Sequence, residues 1–411
     1  MENQVVEFSF FDEINKKANI ICDDKSKLNP KSERWRFTPI REYNALTFSN
    51  LQNTNINLDS IQSYRFKNVI LFVIMNGKID LQLSDSIPNG VQIENLNKMA
   101  QNYSGRIKSS FTKISNIQEN YFSAENITQF NNGLFINVES NIVIEKPIQL
   151  LNIQTETNSF PRFLINGEEN SQFNIIEQYI NLTKSESKSN SVVEISLQNG
   201  SNLNHICLQN GTKSHWNFYS LAVNQYKNSL FTSSIISLSG KRIINDINCN
   251  LIEEGVSTDI SGLYLIDNNS HCDNHTKINH IAPFTYSNEN FKGIISGEAS
   301  GVFNGLIKVL PDAQKINSSL TNRNLLLSND SKMNSNPQLE IYADDVKCSH
   351  GSTIGQIDGE ALFYMQSRGI SKSNATKILV KGFADEILNK IKIKSIIDYI
   401  EPKIEQLMRN S

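Results

Sequence analysis

Short β-branched runs fill the middle of this chain and constrain its fold more than any other sequence feature. They recur from residue 133 to about residue 327, between glycine, asparagine and serine turns such as Asn199-Gly200 and Glu254-Gly255. We find no convincing amphipathic helix in this segment. Many short strands at even spacing are typical of a sandwich, a barrel or a β-solenoid. Turn signals about every 10–12 residues over so long a segment favour the solenoid, but without a strict repeat motif all three stay open.

The runs predict ten strands in this segment. Their ranges are 134–138, 142–144, 149–153, 173–176, 192–197, 204–208, 217–223, 230–238, 243–251 and 258–266.

The flanking regions have a different character. Residues 8–20 have helical spacing, and 66–84 predict a hairpin around Asn76-Gly77, the preferred pair for a type I′ turn. Asp358 can cap a helix that Gly369 ends, and Ser371 can cap a second one. The pattern therefore predicts an N-terminal mixed helical and hairpin region (1–132), a β core (133–352) and a C-terminal helical subdomain (353–411).

The predicted C-terminal helices carry apolar residues at helical spacing. On the second helix, Ala375, Ile378, Leu379 and Phe383 make one apolar stripe. A third helix is predicted over 391–407, with Pro402 as a kink or break. Such stripes usually pack within their own chain, but an outlying helical pair can also serve as a docking site.

The composition excludes several classes of protein. The 411 residues carry a net charge of −3, with a pI near 6.1, whereas a nucleic-acid partner requires a surplus of clustered Lys and Arg. Five widely spaced cysteines suit a reducing compartment. There is no visible signal peptide, and the longest apolar run (69–75) is too short to span a bilayer. We therefore expect a soluble, cytoplasmic protein.

A thiol and an imidazole lie where the β region meets the helical region. Leu339, Ile341 and Ala343 alternate as in a half-buried strand up to a break at Asp344-Asp345. If the chain then continues extended, Cys348 and His350 share one face with Cα atoms about 6.6–7 Å apart. Metal centres generally need about four ligands. The pair is therefore either a site completed by another chain or a buried cysteine beside a hydrogen-bonded histidine.

A second cluster contains His271, Cys272, His275 and His280. On a strand, His271 and His275 face the same side as Asp273, and Cys272 and His280 face the other side. The spacing matches no zinc signature. Structural polar residues are the favoured interpretation.

The sequence contains no catalytic or nucleotide-binding signature. We find no GxSxG, no Walker-type GxxxxGK[ST] and no Rossmann fingerprint. Asp344-Asp345 could form an acid pair, but adjacent carboxylates at a strand end are more often turn formers. No residue pattern requires an enzyme.

Several motifs, in order, resemble the SufB/SufD family, and within it the SufD branch. They include Trp35-Arg-Phe-Thr38, Asp273-Asn-His-Thr276, Phe303-Asn-Gly-Leu-Ile307, Asn322-Arg-Asn-Leu-Leu-Leu-Ser328, Ala343-Asp-Asp-Val-Lys-Cys-Ser-His-Gly351, Gly355-Gln-Ile-Asp358 and Ser367-Arg-Gly-Ile370. The dense part of the resemblance covers about residues 270–385. Lys315 is a departure, because Ile316-Asn follows it where the family usually has Thr and a polar residue.

The resemblance implies a mainly β fold with a right-handed parallel β-helix core between an N-terminal mixed region and C-terminal helices. It implies a non-enzymatic subunit of the SufBCD iron–sulfur cluster assembly complex, paired with SufB through the end of the β-helix, or with itself when isolated. The ATPase SufC would dock on the C-terminal helices, at Phe363, Tyr364, Arg368, Gly369 and Ala375.

The resemblance also implies a role for Cys348 and His350, where the β region meets the helical region. His350, and with lower weight Cys348, would hold a transient iron or nascent cluster shared with the partner chain. The isolated chain would bind no cofactor stably.

Two alternatives belong to other classes of protein. The first is a β-helix enzyme acting on polysaccharides, against which the missing signal peptide argues. The second is a self-contained metal-binding protein that uses His271, Cys272, His275 and His280.

Overall fold

The structure is a computed structural model. It describes residues 2–45, 61–96, 111–130 except 113, 116 and 119, 133–183 and 185–409. No helix within these ranges has both the length and the apolar character needed to cross a membrane.

The core is a parallel β-solenoid made of two facing sheets. The first sheet, in pairing order, consists of β2 (Lys78–Asp80), β1 (Ile70–Met75), β5 (Ile148–Gln154), β8 (Gln172–Asn181), β10 (Asn202–Asn210), β12 (Leu230–Ser239), β14 (Ser257–Ile266), β16 (Tyr286–Ile295), β18 (Ile316–Leu326) and β20 (Val346–Gly355). The second consists of β19 (Lys332–Ile341), β17 (Ser300–Val309), β15 (His271–His280), β13 (Arg242–Leu251), β11 (His215–Gln225), β9 (Ser187–Leu197), β7 (Arg162–Gly167), β4 (Gly133–Val138) and β3 (Val91–Asn95), with β6 (Asn158–Ser159) beside β9.

Each coil of the solenoid contributes one strand to each sheet. Between β11 and β19, register partners in the second sheet lie 26 to 32 residues apart, from Trp216–Arg242 to Ser300–Lys332. The described pairs are parallel except β1 with β2 and β3 with β4, at the N-terminal end. Alternate side chains of both sheets meet in one continuous apolar core.

The turns explain why glycine and asparagine recur between the strands in the sequence. Gly255 has φ +75°, and a Cβ on it would lie 2.0 Å from Oδ1 of Asn228, one coil earlier. Asn228 itself has φ +57°. Stacked turns therefore need residues that tolerate the left-handed region and leave room for each other.

Helices lie outside the two sheets. They are α1 (Glu2–Asp23), α2 (Ile40–Ala45), α3 (Tyr121–Gln129), α4 (Gly359–Ser367), α5 (Lys372–Leu388) and α6 (Lys394–Arg409), with 3₁₀ turns at Lys25–Leu28 and Glu33–Trp35. The N-terminal elements pack on the second sheet, where Trp35 and Phe122 meet Trp216 and Phe218. Helices α5 and α6 pack on the first sheet.

The structure confirms the mainly β fold with a parallel β-helix core and helices at both ends. The hairpin is confirmed, with Asn76 and Gly77 at φ +48° and +84°, and so are the caps at Asp358 and Ser371. The third C-terminal helix begins at Lys394 rather than at residue 391 and continues through Pro402.

Four details differ from the predictions. Residues 142–144 form only an isolated bridge from Val143 to Gln172, and β7 was not predicted. On α5 the buried residues are Ala375, Val380, Ala384, Ile387 and Leu388, whereas Ile378 is exposed. Strands β1–β3 already join the solenoid sheets before residue 133, while the domain boundaries themselves stay predictions.

Candidate functional site

The C-terminal end of the solenoid is open. Among the described residues, strand β20 pairs only with β18 and β19 only with β17, so both present an edge that no described strand covers. Residues 349–355 of β20 are exposed, in contrast to β9 at mid-solenoid, which is buried along its whole length. Long edge strands with free N–H and C=O groups are ready to pair with another chain.

Cys348 and His350 lie on the same face of β20, at this open end. The register is continuous, with Ser318 opposite Cys348 and Leu320 opposite His350. Since Ser318 and Leu320 are buried between the sheets, parity places Cys348 and His350 on the inward face of the last coil. This confirms the predicted shared face.

The two residues differ in environment. Cys348 is half-buried against the apolar core, and this burial raises the pKa of its thiol. His350 is exposed. A protected thiol and an accessible imidazole therefore lie side by side.

A hydrogen-bond network ties the two sheets together beside the pair. The Ser352 hydroxyl donates to Ser335 across the open end at 2.8 Å, and Ser335 donates to Oδ1 of Asn322 at 2.8 Å. Asn322 in turn donates to the Tyr264 hydroxyl, deeper in the core, at 3.2 Å. The network fixes the strand that carries Cys348 and His350.

The ligand set at the open end is incomplete. In the described ranges no group of three or more His, Cys, Asp or Glu side chains is placed to hold a metal ion. Iron–sulfur and zinc centres generally use about four ligands. An ion or cluster bound to Cys348 and His350 would therefore need donors from outside the described part of this chain.

The second candidate cluster is divided by the sheet. Cys272 belongs to the core between the sheets. The Trp35 ring packs on the His275 ring from outside, with the two ring centres 5.9 Å apart. His275 Nε2 lies 3.0 Å from Oδ2 of Asp273, and His271 Nδ1 lies 2.7 Å from the Ser300 hydroxyl. Burial lowers the pKa of His271 to about 4. These contacts support the structural interpretation and do not bring the four side chains into one ligand set.

Glu289 is a buried ionisable residue that the sequence analysis missed. It lies in the same inward column as His350, because Glu289 pairs with Leu320 and Leu320 with His350. The sequence signal is weak, since 61 residues separate Glu289 from His350. Only the register of two coils connects them.

Helix α4 lies next to the open end and contains no buried residue. Phe363 and Tyr364 are 73% and 60% exposed, and the Arg368 guanidinium lies 5.3 Å from the Tyr364 ring centre. Gly369, at φ +86°, ends the helix. These four predicted docking residues are thus exposed at one site.

Ala375 requires a correction. It was predicted among the docking residues, but it is 0% exposed. Its methyl group packs inside this chain, so it can support the exposed residues but cannot contact a partner.

Comparison with known families identifies the family of this chain. The model of the SufBD core domain of the SUF system for iron–sulfur cluster assembly matches residues 150–383, and the SufBD N-terminal region model matches residues 8–150. The chain belongs to the SufBD family.

Several relatives are named SufD. The iron–sulfur cluster assembly protein SufD of Escherichia coli is 32% identical over 240 residues, covering 58% of this chain and 56% of the relative. SufD of Bacillus subtilis is 25% identical over 340 residues, covering 79% of this chain and 77% of the relative. A SufBD family iron–sulfur cluster assembly protein of Synechocystis is 27% identical over 382 residues, covering 89% and 84%.

Proposed function

We propose that this chain is the SufD-like subunit of a SufBCD iron–sulfur cluster assembly complex and works as a non-enzymatic scaffold. The observation that carries the proposal is the open end, where Cys348 and His350 face inward on an edge strand and the rest of the described chain supplies no further ligands. Relatives named SufD support the branch of the family. SufB, pairing with the free edges of β19 and β20, would supply the missing donors.

Iron, or a nascent cluster, is the cargo of this site. The imidazole of His350 offers a nitrogen ligand, and Cys348 offers sulfur once its thiol has lost a proton. The half-buried position of Cys348 protects the sulfur from oxidants, whereas exposed His350 is accessible to arriving iron. Because the partner subunit would supply the remaining ligands, we propose that the isolated chain retains no iron or cluster.

We propose that SufC docks on α4 through Phe363 and Tyr364, with Arg368 and Gly369 at the end of the helix. Since this chain has no nucleotide motif, movement at the interface must derive from differential binding of ATP by SufC. Three residues separate β20 from α4, so a pull on the helix would reach the strand that carries His350.

The site is tested by replacing His350 with alanine. We expect the complex with SufB and SufC to form normally, while cluster formation in anaerobic reconstitution, followed by absorbance, falls about tenfold or more, because even supporting residues of metal sites cost that much. Ser349→Ala, on the opposite face of β20, is the matched control. Cluster formation at the control rate by the His350 variant would remove the site from the proposal.

We also propose that the protein is cytoplasmic and that it can pair with a second copy of itself. The five cysteines are all free, which supports the cytoplasm. The open edges would also allow two copies to pair in the absence of SufB. Neither the site nor the comparisons favour an enzyme acting on polysaccharides.

A further inference from the structure

One corner of the solenoid repeats a left-handed turn from coil to coil. It connects each strand of the second sheet, from β4 to β17, to the following strand of the first sheet. The residues with positive φ at this corner are, in chain order, Asn141, Asn170, Gly200, Asn228, Gly255, Phe284 and Lys315. The backbone N–H of each donates to a carbonyl of the next turn, and the last bond runs from Lys315 to the Asp345 carbonyl at 2.7 Å. The turns therefore form a ladder that ends beside β20.

Phe284 departs from the residue pattern of this corner. The five turns before it use asparagine or glycine, which tolerate the left-handed region, whereas a bulky side chain at φ +57° is strained. Lys315 at least forms an ion pair with Asp345. Phe284 has no polar group for such a contact, and its ring is 61% exposed. The fold therefore carries the strain of Phe284 and buries little apolar surface in return.

Other large apolar side chains are exposed in the same part of the solenoid. Tyr286 lies two residues after Phe284, and Tyr342 lies in the loop before β20. Tyr286 is the register partner of Asn317, and Asn317 is the partner of Lys347 on the edge strand. Since neighbouring strands are about 4.8 Å apart, Tyr286 lies about 10 Å from β20. The exposed aromatic residues are thus continuous with the open end.

A partner bound at the open end is large enough to reach this corner. A standard protein interface covers about 800 Å² on each partner, which is a disc of about 16 Å radius. The turn of Phe284 is two steps of the backbone ladder away from Asp345, where β20 begins. Exposed aromatic rings are the residues that most often dominate the energy of such interfaces. Strained backbone, in turn, is found where function requires it.

We propose that Phe284 is an aromatic anchor for the partner subunit that pairs with β19 and β20. The partner extends from the open end onto the corner and receives the Phe284 ring in an apolar pocket. The inference rests on the proposed function, because it takes SufB as that partner. It adds a contact surface beside the two edge strands.

The test is Phe284→Asn, which places at this turn the residue type that earlier turns of the same corner use. Relief of the strain should raise the melting temperature of the full chain by about 2 °C. Loss of the ring should weaken binding of SufB, measured by calorimetric titration, about tenfold or more. A residue that only supports the fold would not give greater stability together with weaker binding.

Two variants serve as controls. Phe284→Tyr keeps an aromatic ring and should bind SufB as wild type does. Val143→Asn removes an apolar side chain that is 59% exposed at the far end of the same corner. It should also leave the affinity for SufB unchanged.

Wild-type affinity of the Phe284→Asn variant would overturn the proposal. A lower melting temperature of that variant would also overturn it, because Phe284 would then stabilise the fold. The same holds if the variant loses only self-association, measured by sedimentation velocity, since the corner would then belong to a second copy of this chain.

Binding of SufB requires no iron, so the measurement stands even if His350→Ala assembles clusters at the control rate. If wild type itself fails to bind SufB, the proposed function and this inference fail together. If wild type binds and Phe284→Asn binds equally well, only this inference fails.

Discussion

Glu289 makes the stability of the fold depend on pH. It is fully buried between the sheets, and burial raises its pKa from 4.5 to about 8, with a smaller opposite effect from the Thr276 hydroxyl. The folded state therefore keeps the proton where the unfolded state has lost it. The stability that Glu289 contributes is fully present below about pH 4.5 and is lost as the pH rises to about 8.

Glu289→Gln should abolish this loss. Wild type should lose about 1.4 kcal/mol of unfolding free energy per pH unit from this residue between pH 5 and pH 8, and the glutamine variant should lose that much less. Urea denaturation at the two pH values measures the difference. Glu298→Gln, at an exposed turn, should behave as wild type, and a wild-type slope in Glu289→Gln would refute the assignment.

Whether the sequence predicts that two residues share a site depends on how many residues separate them along the chain. The shared face of Cys348 and His350 follows from parity within one strand, which is local information. Ser318 and Glu289 reach the same site only through coil register, 30 and 61 residues before their functional neighbours. Without a strict repeat, no pattern in the sequence specifies that register.

Among the elements, α4 is an exposed helix at the end of the molecule. Asp358 caps it by accepting hydrogen bonds from the backbone N–H groups of Glu360 and Ala361, and its aromatic side chains bury nothing within this chain. Replacing Phe363 and Tyr364 together with alanine should therefore leave the melting temperature unchanged.

The same double variant should weaken binding to SufC about 30-fold or more, since aromatic anchors commonly contribute at least 2 kcal/mol to an interface. Calorimetric titration measures the affinity, and Gln366→Ala, also exposed on α4, is the control. Equal affinity of the double variant and the control would place the docking surface elsewhere.

Strand β7 and the buried face of α5 departed from the predictions for physical reasons. Strand β7 begins with Arg162, a charge that argues against a buried strand, yet Arg162 and Glu194 form a fully buried ion pair at 2.6 Å. On α5, Ile378 belongs to the apolar stripe in sequence, but the outer face of the first sheet selects Val380, Ala384 and Ile387. Periodicity predicts that a helix has an apolar face but not which side a sheet will cover.

At the scale of the whole molecule, the two ends of the solenoid differ. The first sheet starts at β2, a three-residue strand folded back on β1, and short edges discourage pairing. The other end presents β19 and β20, each ten residues long, of which β20 is largely exposed and β19 is partly exposed. Because each coil of a solenoid is stabilised mainly by its neighbours, the last coil, with one neighbour, is the least stable part of the core.

This asymmetry predicts a gradient of amide hydrogen exchange along the solenoid. In the isolated, dilute chain, amides of β19 and β20 should exchange fastest among the core strands, while β9 and β11 at mid-solenoid should stay protected. Adding SufB, or concentrating the chain until it pairs with itself, should slow exchange in β19 and β20 and leave β9 and β11 unchanged. Exchange of β20 that is equally slow with and without a partner would mean that the free edge is not the interface, and the incomplete ligand set of Cys348 and His350 would then need a different source of donors.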